Sequence, residues 1–79
     1  MPVKPGYCTV NMVDGRPVLD WGSSPQLNYI IWRDGVAVDA SERGRYVDLW
    51  ASPGEHSYSV AAANAVGAGE RRYCGKVTS

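Results

Sequence analysis

An all-β chain built as a single seven-stranded antiparallel β-sandwich is the fold this sequence predicts, and three observations predict it. Turn-forming residues recur roughly every eight to twelve positions along the chain. The short segments between them are rich in Val, Ile, Tyr, Trp and Thr, residues that suit a pleated, half-buried surface. No apolar pattern with a helical period runs long enough to compete. Short strands at this spacing pack as a sandwich or barrel.

The elements follow in order. "YCTVNMV" (7–13) and "RPVLDW" (16–21) flank Asp14-Gly15, a pair that accepts the positive φ angles of a tight hairpin turn. Gly22-Ser23-Ser24-Pro25 separates them from "LNYIIWR" (27–33), and Asp34-Gly35 then turns the chain into "VAVDA" (36–40). Ser41 to Gly44 leads to "RYVDLW" (45–50), and Ser52-Pro53-Gly54 to "EHSYSVAAAN" (55–64). The alanines of this sixth segment favour a helix only weakly. Tyr58, Val60, Ala62 and Asn64 fall on every second position, and the following Gly67-Ala68-Gly69 is a turn signal, so a strand is predicted. "ERRYCGKVT" (70–78) is the seventh strand.

At 79 residues the chain is sized for one domain, 1–79. A hydrophobic fraction of 44%, with three Trp and five Tyr, indicates a folded rather than a disordered chain. Eight basic and eight acidic residues balance, so charge gives no reason to expect nucleic acid or a membrane surface as partner. No run approaches the roughly 20 apolar residues of a membrane span, and "MPVKPGYC" lacks the apolar region of a signal peptide. Neither membrane insertion nor export by such a peptide is expected.

Three pieces of the sequence resemble a fibronectin type III module of bacterial or phage type, and together they cover most of the chain. "VLDW" resembles the family's inward Leu-x-Trp, with Leu19 and Trp21. "NYIIWRDG" is similar to the third-strand hairpin of bacterial members. "YVDLWASPGEHSYSVAAANAVGAG" resembles the family's Tyr-x-Asp, Pro-Gly, and Tyr-x-Val-x-Ala-x-Asn succession. Two positions depart from the family. His56 stands where the corner tyrosine is usual, so the corner is either rebuilt around the imidazole or served by Tyr58. Before Pro53 the expected apolar residue is reduced to Ala51, and Trp50 is expected to swing in and fill the gap.

Strand alternation gives the core. With Trp21 inward, Leu19 is inward, and Tyr29, Ile31, Tyr58, Val60 and Ala62 face the same interior, with Cys8, Val10 and Met12 from the first strand. Cys8 and Cys74 sit in the first and last strands, which the resemblance brings to the same side of two packed sheets. A disulfide staple between them is favoured over two buried thiols, because a core this small gains most from a cross-link.

Catalytic and metal chemistry have few carriers. His56 is the sole histidine and is read as structural, and nothing pairs a cysteine with a second base. One His and two distant Cys make no zinc site, so no metal or cofactor is expected. The acids Asp14, Asp20, Asp34, Asp39, Asp48, Glu42, Glu55 and Glu70 lie in or beside turns and are expected to be solvated. A non-enzymatic module is the default.

Binding is then carried by outward side chains. Trp32 faces away from Ile31 and leads with Arg33 and Asp34 into the hairpin; it either anchors a contact or lies covered beneath a cross-strand Arg or Tyr. Arg43 and Arg45 in "SERGRY" (41–46), with Arg71 and Arg72, make a local basic patch that is either a contact surface or, as is more common, solvated surface. Two functions fit. One is a small phage virion protein, a head decoration or tail appendage, binding other virion subunits or the host surface. The other is an accessory spacer or weak carbohydrate-binding module of a secreted bacterial hydrolase, binding a polysaccharide outside the cell.

Overall fold

The computed structural model describes residues 4–22 and 28–78. It is all-β: β1 (Thr9–Val13), β2 (Arg16–Asp20), β3 (Asn28–Arg33), β4 (Val36–Ser41), β5 (Arg45–Val47), β6 (Glu55–Asn64), β7 (Gly67–Ala68) and β8 (Arg72–Thr78). Two antiparallel sheets form. The smaller has the order β1-β2-β5; the larger runs β4-β3-β6, with both β7 and β8 paired to β6.

Eight strands therefore stand where seven were expected. The addition is β7, two residues inside the Gly-rich stretch taken for a turn. Ala68 pairs with Ala63, while Arg72 pairs with Val60, so β7 and β8 follow one another along the same edge of β6. The turn before β7 is shaped by Asn64, whose side-chain oxygen accepts hydrogen bonds from the Val66 and Gly67 N–H groups. The fifth strand is shorter than its expected 45–50 and ends at Val47. Asp48 is the reason: its carboxylate accepts the Trp50 N–H at 3.0 Å, which turns the chain out of line. The turn expected at Gly22-Ser23-Ser24-Pro25 lies, apart from Gly22, outside the described residues, as does Leu27.

Asp14-Gly15 and Asp34-Gly35 both close two-residue hairpins. All four residues have positive φ (51°, 79°, 54° and 83°), the primed turn that matches the twist of paired strands.

Side chains from both sheets meet in one core of Leu19, Trp21, Tyr29, Ile31, Tyr58, Val60 and Ala62. Cys8, Val10, Val38, Tyr46, Cys74 and Val77 pack around it. The Trp21 and Tyr29 rings sit tilted at 5.6 Å between centroids. Trp21 Nε1 is buried and has no hydrogen-bond partner among the described residues.

Cys8 and Cys74 are joined by a disulfide, with Cα atoms 4.6 Å apart. A bulge makes this possible. β8 pairs Tyr73 with Ser59 and Gly75 with Tyr58, which leaves Cys74 as the extra residue, turned onto the core edge instead of following strict alternation. Gly75 has φ +136°, and a Cβ there would lie 3.2 Å from a Val10 methyl, so the close approach of β8 to β1 at this point needs glycine.

Candidate binding surfaces

The segment between β5 and β6, "DLWASPG" (48–54), is gripped from two sides. The first grip is Asp48, fully buried although a solvated carboxylate was expected there. Its Oδ2 accepts a 2.7 Å hydrogen bond from Arg33 Nη1 and a 2.6 Å bond from the Tyr58 hydroxyl; its Oδ1 takes the Trp50 N–H, and its own N–H donates to the Pro17 carbonyl. Burial pushes the carboxyl upward, but the hydrogen bonds from Tyr58, Arg33 and Trp50 outweigh it and hold Asp48 below the usual carboxylate range. Arg33 is raised in turn, chiefly by its bond to Asp48. Tyr58 is also raised, first by burial and then by donating to Asp48.

The second grip is His56. Its Nδ1 is 2.5 Å from Asp34 Oδ2 and its Nε2 is 2.7 Å from the Ser52 carbonyl oxygen. Both neighbours are acceptors, so the arrangement favours an imidazolium donating from both nitrogens. The bond to Asp34, then that to Ser52, raises the His56 pKa, and the same contact lowers that of Asp34. Asp34 also accepts the Ser57 N–H, which ties the β3–β4 hairpin to β6. His56 thus links the β3–β4 hairpin to the Ser52 carbonyl, while the Tyr58 hydroxyl bonds a carboxylate.

Between the two grips stands Trp50. It does not fill the gap beside Ala51; the residue is 78% exposed, and neighbouring Leu49 is 55% exposed. Once the Asp48 carboxylate captures the Trp50 N–H and turns the chain, the indole is carried outward. Sequence reading missed this surface. The available signal was the Tyr-x-Asp spacing of Tyr46 and Asp48, which places an acid at an inward position facing Arg33.

The expected binding residues do not converge. Arg33 turns inward and is committed to Asp48, with its side chain 22% exposed. Asp34 is held by His56. Arg43 and Arg45 are exposed on the turn and strand leading into the small sheet, and Ser41 and Arg43 bond one another there. Arg71 is on the larger sheet's side, its guanidinium 4.4 Å from the Trp32 ring centroid. Arg72 donates to the Pro5 carbonyl. The four arginines form no single patch. Trp32, half-buried under Arg71, takes the covered arrangement.

A second aromatic surface lies on the outer face of the larger sheet. Trp32, Ser59 and Tyr73 stand directly opposite one another on β3, β6 and β8, so the small Ser59 separates two rings, and Tyr73 is 56% exposed. Among the described residues no cluster of three or more His, Cys, Asp or Glu side chains is placed to hold a metal ion. The chain matches no known protein family, no curated protein and no solved structure.

Proposed function

We propose that the chain is a non-catalytic binding module, a fibronectin type III-like sandwich whose principal contact is made by Trp50. One observation carries this reading: a large, exposed indole sits on a loop whose backbone is fixed by Asp48 on one side and His56 on the other. An exposed Trp loses little further entropy on binding when its loop is already ordered, which is how a few aromatic anchors come to dominate protein contacts. The sheet orders support the sandwich reading, with β7 and β8 together serving as one interrupted last strand.

The setting we favour is a phage particle, with the module bound to virion subunits as a head decoration or tail appendage. The disulfide supports a location outside a reducing cytoplasm. Co-sedimentation of the purified chain with assembled shells is the test. Binding is expected, with Trp50→Ala weakening it about thirtyfold, the roughly 2 kcal/mol of an aromatic hot spot, and leaving the melting temperature unchanged. Measurable hydrolysis by the chain, or wild-type affinity in Trp50→Ala, would refute the reading.

A second reading rests on Tyr73, exposed on the outer face of the larger sheet, whose ring suits stacking on a sugar in an accessory module of a secreted hydrolase. Retention on an insoluble polysaccharide that is lost in Tyr73→Ala and kept in Trp50→Ala would favour this alternative.

A further inference from the structure

The outer face of the small sheet carries a pattern that is complementary to itself. Leu19 faces the core, so Arg16, Val18 and Asp20 alternate outward along β2. Val18 is central, flanked in register by Asn11 on β1 and Val47 on β5. On one side lies a row of Thr9, Asp20 and Arg45. On the other, Val13 pairs with Arg16, and the exposed Leu49 follows Asp48, whose N–H bonds the Pro17 carbonyl. Val13, Val47 and Leu49 are all exposed, whereas Val18 is only 5% exposed despite facing outward. The side chains of Arg16 and Asp20, four residues apart with Val18 between them, have no hydrogen-bond or ion-pair partner among the described residues.

We propose that this face pairs with the same face of a second copy of the chain. A two-fold axis lying between the sheets, crossing β2 at Val18 and perpendicular to the strands, stacks the two β2 strands in opposite directions. Val18 then meets Val18 and Asn11 meets Asn11. Arg16 of each copy falls over Asp20 of the other, giving two ion pairs. The unpaired Arg16 and Asp20 each gain an opposite charge, and the exposed Val13 and Val47 are covered.

Two five-residue strands and the three-residue β5, about 4.8 Å apart, give a footprint of about 10 by 17 Å, well below the roughly 800 Å² per partner of a standard interface. The dimer is accordingly weak and sensitive to salt. It does not depend on what Trp50 binds.

Analytical ultracentrifugation of the intact, oxidised chain tests this. Wild type is expected to pass from monomer near about 10 μM to dimer near about 1 mM. Arg16→Asp places Asp against Asp twice, and Asp20→Arg places Arg against Arg twice; each raises the dimer dissociation constant about tenfold or more. An equimolar mixture of the two variants restores complementarity at both contacts, so two monomeric proteins are expected to form a heterodimer when mixed. Melting curves establish that each variant is folded. A wild type that stays monomeric at the highest concentration, a dimer indifferent to both substitutions, or folded variants that do not associate on mixing each overturn the proposal.

Discussion

The two ends of the small sheet are held by different physics. At the end where β1 begins, a covalent bond joins Cys8 to Cys74 and Arg72 ties down the Pro5 carbonyl. At the end where Asp14-Gly15 and Asp34-Gly35 turn, no covalent link exists among the described residues, and the loop carrying Trp50 is fixed by charge: Asp48 beneath it and His56 beside it. A disulfide acts mainly on the unfolded chain, whereas a buried ionic network acts on the folded one and fixes where one loop goes. The stapled end therefore contributes general stability, and the ionic end contributes a defined surface.

The largest expected effect is at Asp48. Asp48→Ala strands the Arg33 guanidinium and the Tyr58 hydroxyl and frees the Trp50 N–H, and removing one partner of a buried pair costs about 3–5 kcal/mol. For a domain of this size, with only a few kcal/mol in hand, chemical denaturation is expected to find the variant largely unfolded at 37 °C. A loss under about 1 kcal/mol would mean that the carboxylate is not the organising group of this end.

Reduction of the Cys8–Cys74 bond comes next. The cysteines are 66 residues apart, and a loop that long is worth about 4 kcal/mol in the chain-entropy model, with measured values commonly lower. Thermal melts with and without reductant are expected to differ by more than about 10 °C. The Trp50 loop, held by charge, is expected to keep its native fluorescence in whatever fraction of reduced protein remains folded. Equal melting temperatures would leave the covalent end without its stabilising role.

These two ends were not equally legible in the sequence. Alternation read β6 from Glu55 to Asn64 and placed Leu19, Trp21, Tyr29, Ile31, Tyr58, Val60 and Ala62 inside, because a period of two follows from the pleat alone. The cysteine placement in terminal strands was equally visible. What alternation cannot carry is a break in alternation. The bulge at Cys74 and the turn after Val47 arise from local bonding, the latter from one carboxylate choosing a backbone N–H. Asp48 was placed at a solvated turn because acids usually lie there, yet an inward Arg33 two strands away makes burial tolerable. A contact between residues 15 positions apart is a property of the packed sheets, which no local window contains. Trp50 follows from Asp48, so missing the first meant misplacing the second.

The smallest expected effect is at the second grip, and it depends on pH. His56 has its pKa raised by donating to Asp34 and to the Ser52 carbonyl, so its contribution is fully present below the unfolded value near 6.5 and is lost as pH rises through the higher folded value. Asp34 is lowered, so its share is present above the unfolded value near 3.8 and is lost as pH falls through the folded value. The clamp is therefore complete between the two unfolded values, near 3.8 and 6.5, and loosens as pH rises through the higher folded value of His56. Arg33, the nearby cation, opposes protonation of the ring, but its guanidinium is directed at Asp48. When His56 loses a proton, Nε2 becomes an acceptor facing the acceptor Ser52 carbonyl at 2.7 Å, and the Ser52 hydroxyl 3.3 Å away is the donor able to replace the lost bond. That exchange shifts the loop without unfolding the sheets. Raising the pH from about 6 to 9 is expected to redshift or quench the Trp50 signal with a midpoint above the ordinary histidine value, while amide exchange in β3 and β6 stays protected. In His56→Gln the transition should disappear and the Asp48 network should remain intact. A transition that survives in His56→Gln, or one whose midpoint lies below 6.5, would assign the alkaline loosening to some other group.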